Sequence, residues 1–566
     1  MSRSTRLVVS LSLLSLLALA SACAAPPAAS PGDADAGADA APADGALGDG
    51  ALSVPLAGEI EPGVYRELVT IAAPAAPPSP SGATSPPHTN VARFLRYRAS
   101  AEPRPVRAIV IAMPGMPAGA MSYDQLARRL LVLSGGDIEL WAIDRRANTL
   151  EDLTGMNAAE ARRDPDLAWR YYDEGLTIAG KRYQGLPASP AYMSEWGLAT
   201  HVSDLRAMLA LIPAAERRAR VLLIGHSFGA AFVQAYAAWN IGADGAPRAA
   251  ASELAGVALL DGGLFLYPEI DEATYRGQGS GLAAGLDTLR AGKRLYLDYV
   301  GLGLEAFLTV EVTALRASIA PHAVVDDPHV DRIATLLFLR APPPMTSAAL
   351  VGFTLDEDSS PVRGLRARCG AADGPTESYR SPLTSEMRLR PARDDVTYDW
   401  LDYDEVDPPE NTSIKVLARV AHEGPTNRIE WFMPARLVLD VAAVSSLSMT
   451  DASWQRAYGL RATANGLVDA PLLVVSAGRG IAPSAAAFDG YRQRIAATVG
   501  EGRPRAGATR ARDQGLAGGF AVLDLPDHAH DDLVHGSGER ADQQIYQPLL
   551  DWLLSNVAAG RVLVGR

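Results

Sequence analysis

Short apolar runs alternate with longer stretches of helical periodicity along most of this chain. Residues 108–113 (AIVIAM), 138–143, 221–224, 257–260, 472–475 and 521–525 are dominated by Val, Ile, Leu and Ala and read as buried strands. Two earlier strands, 64–71 and 91–97, flank a Pro/Ser/Gly-rich loop at 73–87. Between them the pattern changes to a period near 3.6 over 122–133, 196–212, 230–239, 485–499 and 544–557. In the second of these, Leu198, His201, Val202, Leu205, Met208 and Leu209 share one face. Apolar strands separated by helices predict an α/β fold, with a mostly parallel sheet covered by helices on both faces.

The rhythm breaks between residues 264 and 466. Helix-like stretches at 282–300 and 330–339, the triplet Pro342-Pro343-Pro344 and acidic loops fill the interval. This stretch reads as a large, mainly helical cap inserted before the penultimate strand. It divides the core into 57–263 and 467–566.

The N-terminus carries a different signal. Arg3 and Arg6 precede an apolar run from Leu7 to Leu19, then Ala20-Ser21-Ala22 and Cys23. The run is too short to span a bilayer well, so residues 1–22 read as a cleaved export signal. Cys directly after the small residues resembles a bacterial lipoprotein signal, although Ala20 stands where such signals usually carry Leu. The resemblance implies acylation of Cys23 and a lipid anchor on the cell envelope; ordinary cleavage with release is the alternative. Residues 23–56, rich in Ala, Pro, Gly and Asp, read as a flexible tether.

Composition narrows the partners. The 566 residues carry a formal charge of −13, which argues against nucleic acid or anionic headgroups as the main partner. Lys occurs only at positions 181, 293 and 415; the other cations are Arg. There are two cysteines, Cys23 and Cys369, so acylation of the first leaves the second without an intramolecular partner.

The chemistry centres on residues 220–230, RVLLIGHSFGA. G-x-S-x-G alone is a weak signal. Here an apolar strand leads into Gly225-His226-Ser227-Phe228-Gly229 and a helix follows, which is the order a nucleophile elbow requires. A plain strand–helix turn is the competing reading. At this motif the chain resembles the α/β-hydrolase superfamily over about residues 60–262 and 467–558. The resemblance implies Ser227 as nucleophile and a fold without cofactor or metal. It also implies an oxyanion hole from the backbone N–H groups of Met116, in Pro114-Gly115-Met116, and Phe228. Residues 521–536, AVLDLPDHAHDDLVHG, place a His-bearing loop after the last strand. His530 fits the position of the general base, with His528 and His535 as competitors. Three His and four acids in this segment also admit a metal site as an alternative. The acid departs from the family pattern: residues 474–481, VVSAGRGI, contain none. Asp261, after the preceding strand, is the candidate, with Asp489 as fallback. Asp144 closes a strand and reads as structural.

Together these features lead to a serine hydrolase acting on a small-molecule or lipid ester through an acyl-enzyme. The alternatives are a peptidase or amidase of the same fold, and a non-catalytic surface binding protein.

Overall fold

The computed structural model describes residues 56–563 apart from 187–189, 244–245, 298–302, 339–340, 382–383, 446–452 and 501–518. The expected export signal, Cys23 and nearly all of the tether lie outside the described residues. In chain order the strands are β1 (Ala57–Glu61), β2 (Val64–Ala72), β3 (Val91–Arg98), β4 (Ala108–Met113), β5 (Ile138–Asp144), β6 (Val221–His226), β7 (Gly256–Leu260), β8 (Ala371–Asp373), β9 (Thr376–Arg380), β10 (Met387–Pro391), β11 (Asp399–Leu401), β12 (Leu472–Ala477) and β13 (Phe520–Leu525).

Nine of them form one sheet in the order β1-β2-β3-β5-β4-β6-β7-β12-β13. From β5 to β13 the neighbours pair in parallel, and β1, β2 and β3 add an antiparallel extension against β5. The two-residue period of a strand explains why the central strands are apolar throughout. Ile109, Ile111 and Met113 of β4 enter the core on one face, and Ala108, Val110 and Ala112 enter the core on the other. Helices Leu198–Ala210, Phe228–Ala237 and Ala435–Ala443 cover the first face; Asp124–Leu133 and Gln547–Ser555 cover the second. This is the α/β-hydrolase fold, with its insertion between β7 and β12.

The insertion is mainly helical, with Gly303–Ile319, Pro328–Phe338, Ser347–Leu355, Ile414–His422 and Ala435–Ala443, plus the small antiparallel pairs β9/β10 and β8/β11. Two expected helices are shorter than the sequence pattern suggests. Among the described residues of 282–300 only Leu286–Arg290 is helical, and Gly292, at φ 77°, follows its end. The 485–499 stretch breaks into Ala485–Phe488, Asp489–Arg492 and Ala497–Gly500, with residues 493–496 outside any helix. The insertion does not stand alone. Leu308, Val312 and Trp431 share an apolar cluster with Met156, Tyr171 and Trp196 from the segment between β5 and β6.

A buried ion network also ties the insertion to the core. Asp124, fully buried at the start of its helix, accepts from Arg66 at 3.1 Å, Arg128 at 2.6 Å and Tyr97 Oη at 3.0 Å. Arg419 of the insertion approaches it at 3.5 Å. Burial alone pushes the Asp124 carboxyl up, but Arg128, Arg419 and Arg66 outweigh it and hold it below the ordinary value. Removing one partner from such a network leaves uncompensated buried charge. Asp124→Ala is therefore expected to cost about 3–5 kcal/mol, read as a lowered midpoint in urea unfolding. An unchanged midpoint would show that the three guanidiniums do not depend on it.

Candidate active site

The parallel strands deliver their C-terminal ends to one edge of the sheet, and the chemistry-bearing residues gather there. β6 ends at His226, and Ser227 occupies the turn before helix Phe228–Ala237 at φ 59°, ψ −125°. That backbone is unfavourable for a residue with a Cβ, at a cost of roughly 1–3 kcal/mol, and persists only because the surroundings fix it. The Ser227 N–H donates to Leu260 O at 3.0 Å, which locks the turn to β7. Close packing fixes the other side. A Cβ on Gly229 would stand 1.9 Å from Met113 O, so glycine is required where the helix passes the end of β4.

Asp261 is the residue immediately after β7, one strand over. It is fully buried and sits at φ 39°, a region Asp tolerates better than most side chains. Its carboxylate accepts the N–H groups of Ile481 at 2.9 Å and Ala482 at 2.7 Å, and more weakly that of Ala477 at 3.4 Å. All three belong to the end of β12 and the loop beyond it, the acid-free segment of the sequence. A Cβ on Gly480 would lie 2.0 Å from Asp261 Oδ2, so the loop can wrap the carboxylate only with glycine there.

His530 follows β13 and is 1% exposed. Its Nδ1 lies 2.6 Å from Asp261 Oδ2, and its Nε2 has no partner. Its carbonyl lies 3.0 Å from His226 Nε2, and the two rings pack at 4.2 Å between centroids. The structure therefore brings Asp261 and His530 together, beside the strand that carries Ser227. The competitors are placed elsewhere. His528 has both ring nitrogens unpartnered, and burial pushes its pKa down to about 4. His535 receives Arg428 Nε at 3.4 Å, and burial, then Arg428, hold it well below the ordinary value. Asp489 is exposed on a short helix.

The loop after β4 lies against Ser227. A Cβ on Gly115 would be 3.0 Å from Ser227 Cβ and 3.5 Å from its Oγ. Met116 is the next residue, and Phe228 opens the helix on the other side. Among the described residues, the one group with metal-ligand spacing is His226, His530 and Asp531, with donor atoms within 4.8 Å. Arg428 already forms a short, charged hydrogen bond to Asp531, so the guanidinium occupies the place of a cation. Asp144, read as structural, bonds Arg93 and Asn148 and accepts from Thr426 Oγ1 of the insertion.

Three elements were not visible in the sequence. They are the amide cradle of residues 477–482, the role of Arg145 just after β5, and the contacts of Arg428 and Glu430 from the insertion. The paired glycines Gly478 and Gly480 after a strand that lacks its acid are the one signal for the first.

No family model matches the chain, and no curated protein matches it. Several solved structures resemble it at low scores. A structure from Sulfolobus solfataricus, provisionally described as a lipase, is 11% identical with a TM-score of 0.41, covering 88% of this chain and 96% of that one. A thermophilic esterase from Thermogutta terrifontis is 12% identical with a TM-score of 0.31, covering 87% and 100%. A haloalkane dehalogenase from Bradyrhizobium elkani is 12% identical with a TM-score of 0.33, covering 87% and 98%. Likeness at this level fixes neither reaction nor substrate. The fold is defined by the strand order and the elbow.

The loop bearing His530 has its own buried support. Asp532 accepts from Ala529 N–H at 2.8 Å and from three groups of the insertion: Arg368 N–H, Asn411 Nδ2 and Thr412 Oγ1. Burial pushes its pKa up to about 6, against those bonds. A carboxyl raised in the folded state stabilises below its unfolded pKa, and this contribution is lost as pH rises through about 6. The stability of the wild type relative to Asp532→Asn should therefore increase as pH falls from 7 to 4, by at most roughly 3 kcal/mol. Parallel thermal melts of the two proteins across that range test it; a pH-independent difference would contradict it.

Proposed function

We propose that this protein is a serine hydrolase that cleaves carboxylic esters through an acyl-enzyme on Ser227. The observation that supports it most is the buried pair His530–Asp261. It has the tautomer-fixing hydrogen bond on Nδ1 and a free Nε2, on the strand ends beside a Ser held at φ 59°.

In this reading the Ser227 Oγ attacks the ester carbonyl carbon while His530 Nε2 takes its proton. The carbonyl π pair moves onto oxygen, and the N–H groups of Met116 and Phe228 receive it. Donors of this kind are worth about 3–4 kcal/mol each to the transition state. Collapse of the intermediate breaks the bond to the alcohol oxygen, which takes the proton back from His530. Water then repeats the sequence on the acyl-enzyme, releasing the acid and restoring Ser227. Asp261 holds the ring in one orientation and balances the imidazolium. No cofactor enters any step. The substrate class is a small-molecule or lipid ester. The Arg-rich, acidic composition leaves nucleic acid out of the scheme. Export by residues 1–22, with acylation of Cys23 as anchor to the cell envelope, completes the proposal.

The decisive experiment is hydrolysis of p-nitrophenyl esters of graded acyl length, beside labelling with a fluorophosphonate. Wild type is expected to turn over esters and to label; Ser227→Ala and His530→Ala should lose turnover, and Ser227→Ala should lose the label. Asp261→Asn should retain folding and lose kcat by roughly ten-thousand-fold, the loss seen when the orienting acid of a serine triad is removed. Absence of both turnover and label in wild type would favour the binding-protein reading, and preference for p-nitroanilides over esters would favour the amidase. For the anchor, Cys23→Ser is expected to abolish incorporation of radiolabelled fatty acid and to release the protein from membranes. Unchanged incorporation would defeat that part.

A further inference from the structure

The loop that carries Met116 is held by two residues that take no part in bond making. Arg145 follows β5 and is 2% exposed. Its Nη1 donates to Pro114 O at 2.9 Å, and its Nη2 donates to Gly115 O and Ala118 O, both at 2.7 Å. Its Nε donates to Glu430 Oε2 at 2.7 Å, and Glu430 is fully buried. One planar guanidinium thus fastens three carbonyls of a single loop and takes its counter-charge from the insertion.

The geometry of the peptide group makes this consequential. Gly115 C=O and Met116 N–H belong to the same planar trans unit, so they point in opposite directions. Fixing Gly115 O on Arg145 therefore fixes the Met116 N–H to face away from Arg145. The insertion reinforces the arrangement through the backbone. Ile429 bridges Ala118, Gly119 N–H donates to Arg428 O at 2.6 Å, and Glu430 N–H donates to Pro117 O at 3.3 Å. A Cβ on Gly119 would stand 2.2 Å from Asn427 O, so this approach requires glycine. Burial holds the Glu430 carboxyl above its ordinary value, and Arg145 offsets only part of that.

We propose that Arg145 is a positioning residue for the oxyanion hole and that Glu430 of the insertion positions Arg145 in turn. The docked insertion is then part of the catalytic apparatus, because a displaced 427–430 segment takes the counter-charge and two backbone hydrogen bonds from the oxyanion loop. The inference rests on the serine-hydrolase reading above.

The test uses the full chain and three variants. Arg145→Lys keeps the charge but cannot span three carbonyls. Glu430→Gln keeps the shape and removes the charge. Glu139→Gln breaks the Arg96–Glu139 pair, which is equally buried but lies near the opposite, N-terminal end of β5. Arg145→Lys is expected to lower kcat by about 100-fold, the loss typical of one oxyanion donor, and Glu430→Gln by about 10-fold. KM for p-nitrophenyl acetate should stay within about twofold of wild type in both. Affinity for an aryl trifluoromethyl ketone, whose hemiketal oxygen occupies the same hole, should fall in parallel with kcat/KM. Glu139→Gln should lower the melting temperature and leave kcat in place. Retention of kcat and ketone affinity in folded Glu430→Gln or Arg145→Lys would overturn the proposal, as would an equal loss of kcat in Glu139→Gln. Wild type that neither hydrolyses esters nor labels with fluorophosphonate would instead remove the underlying hydrolase reading.

Discussion

The carboxylate of Asp261 is the charge around which the sheet edge is organised. A buried carboxylate is costly unless its oxygens are satisfied. Here two strong amide donors from the loop after β12 and the ring of His530 share that task. Its position one residue past β7 ties three neighbouring strand ends together: β7 supplies the acid, β12 supplies the amides and β13 supplies the imidazole. Ser227 joins through its own N–H on Leu260 O. The strained elbow and the unusual acid are two parts of one arrangement, and each limits how far the other can move.

The order of elements was legible because buried parallel strands are continuous apolar runs, and a turn such as Gly225–Gly229 has few alternatives between strand and helix. Ser227 and the loop bearing His530 followed from the same local chemistry. The pairing of His530 with Asp261, rather than with Asp489, depends on which strand ends are neighbours, and the chain order hides that. The supports of the site were less legible still. Arg145 looks like any Arg after a strand, and its role arises from three carbonyls and a Glu nearly 300 positions away. The helix expected over 282–300 was misjudged because glycine interrupts an otherwise favourable pattern, as at Gly292, just past the end of Leu286–Arg290.

The insertion is best understood as continuous with the core. It shares apolar packing with the segment after β5, charge with Asp124, and backbone hydrogen bonds with the loop after β4. Asn411 and Thr412 hold Asp532 beside the imidazole, and Arg428 holds Asp531. Both loops that flank Ser227 therefore lean on it. A protein built this way cannot exchange its insertion freely for another without rebuilding those contacts.

The hydrogen bond between His530 and Asp261 joins positions 269 residues apart. A chain made from its N-terminus presents the serine and the acid long before the imidazole exists. Contacts of such long range carry a loop-closure cost that slows their formation. The intervening segment must also fold before the loop bearing His530 finds its supports. The pair is thus assembled late, when most of the molecule is already in place, and Ser227 and Asp261 are made long before the ring that joins them.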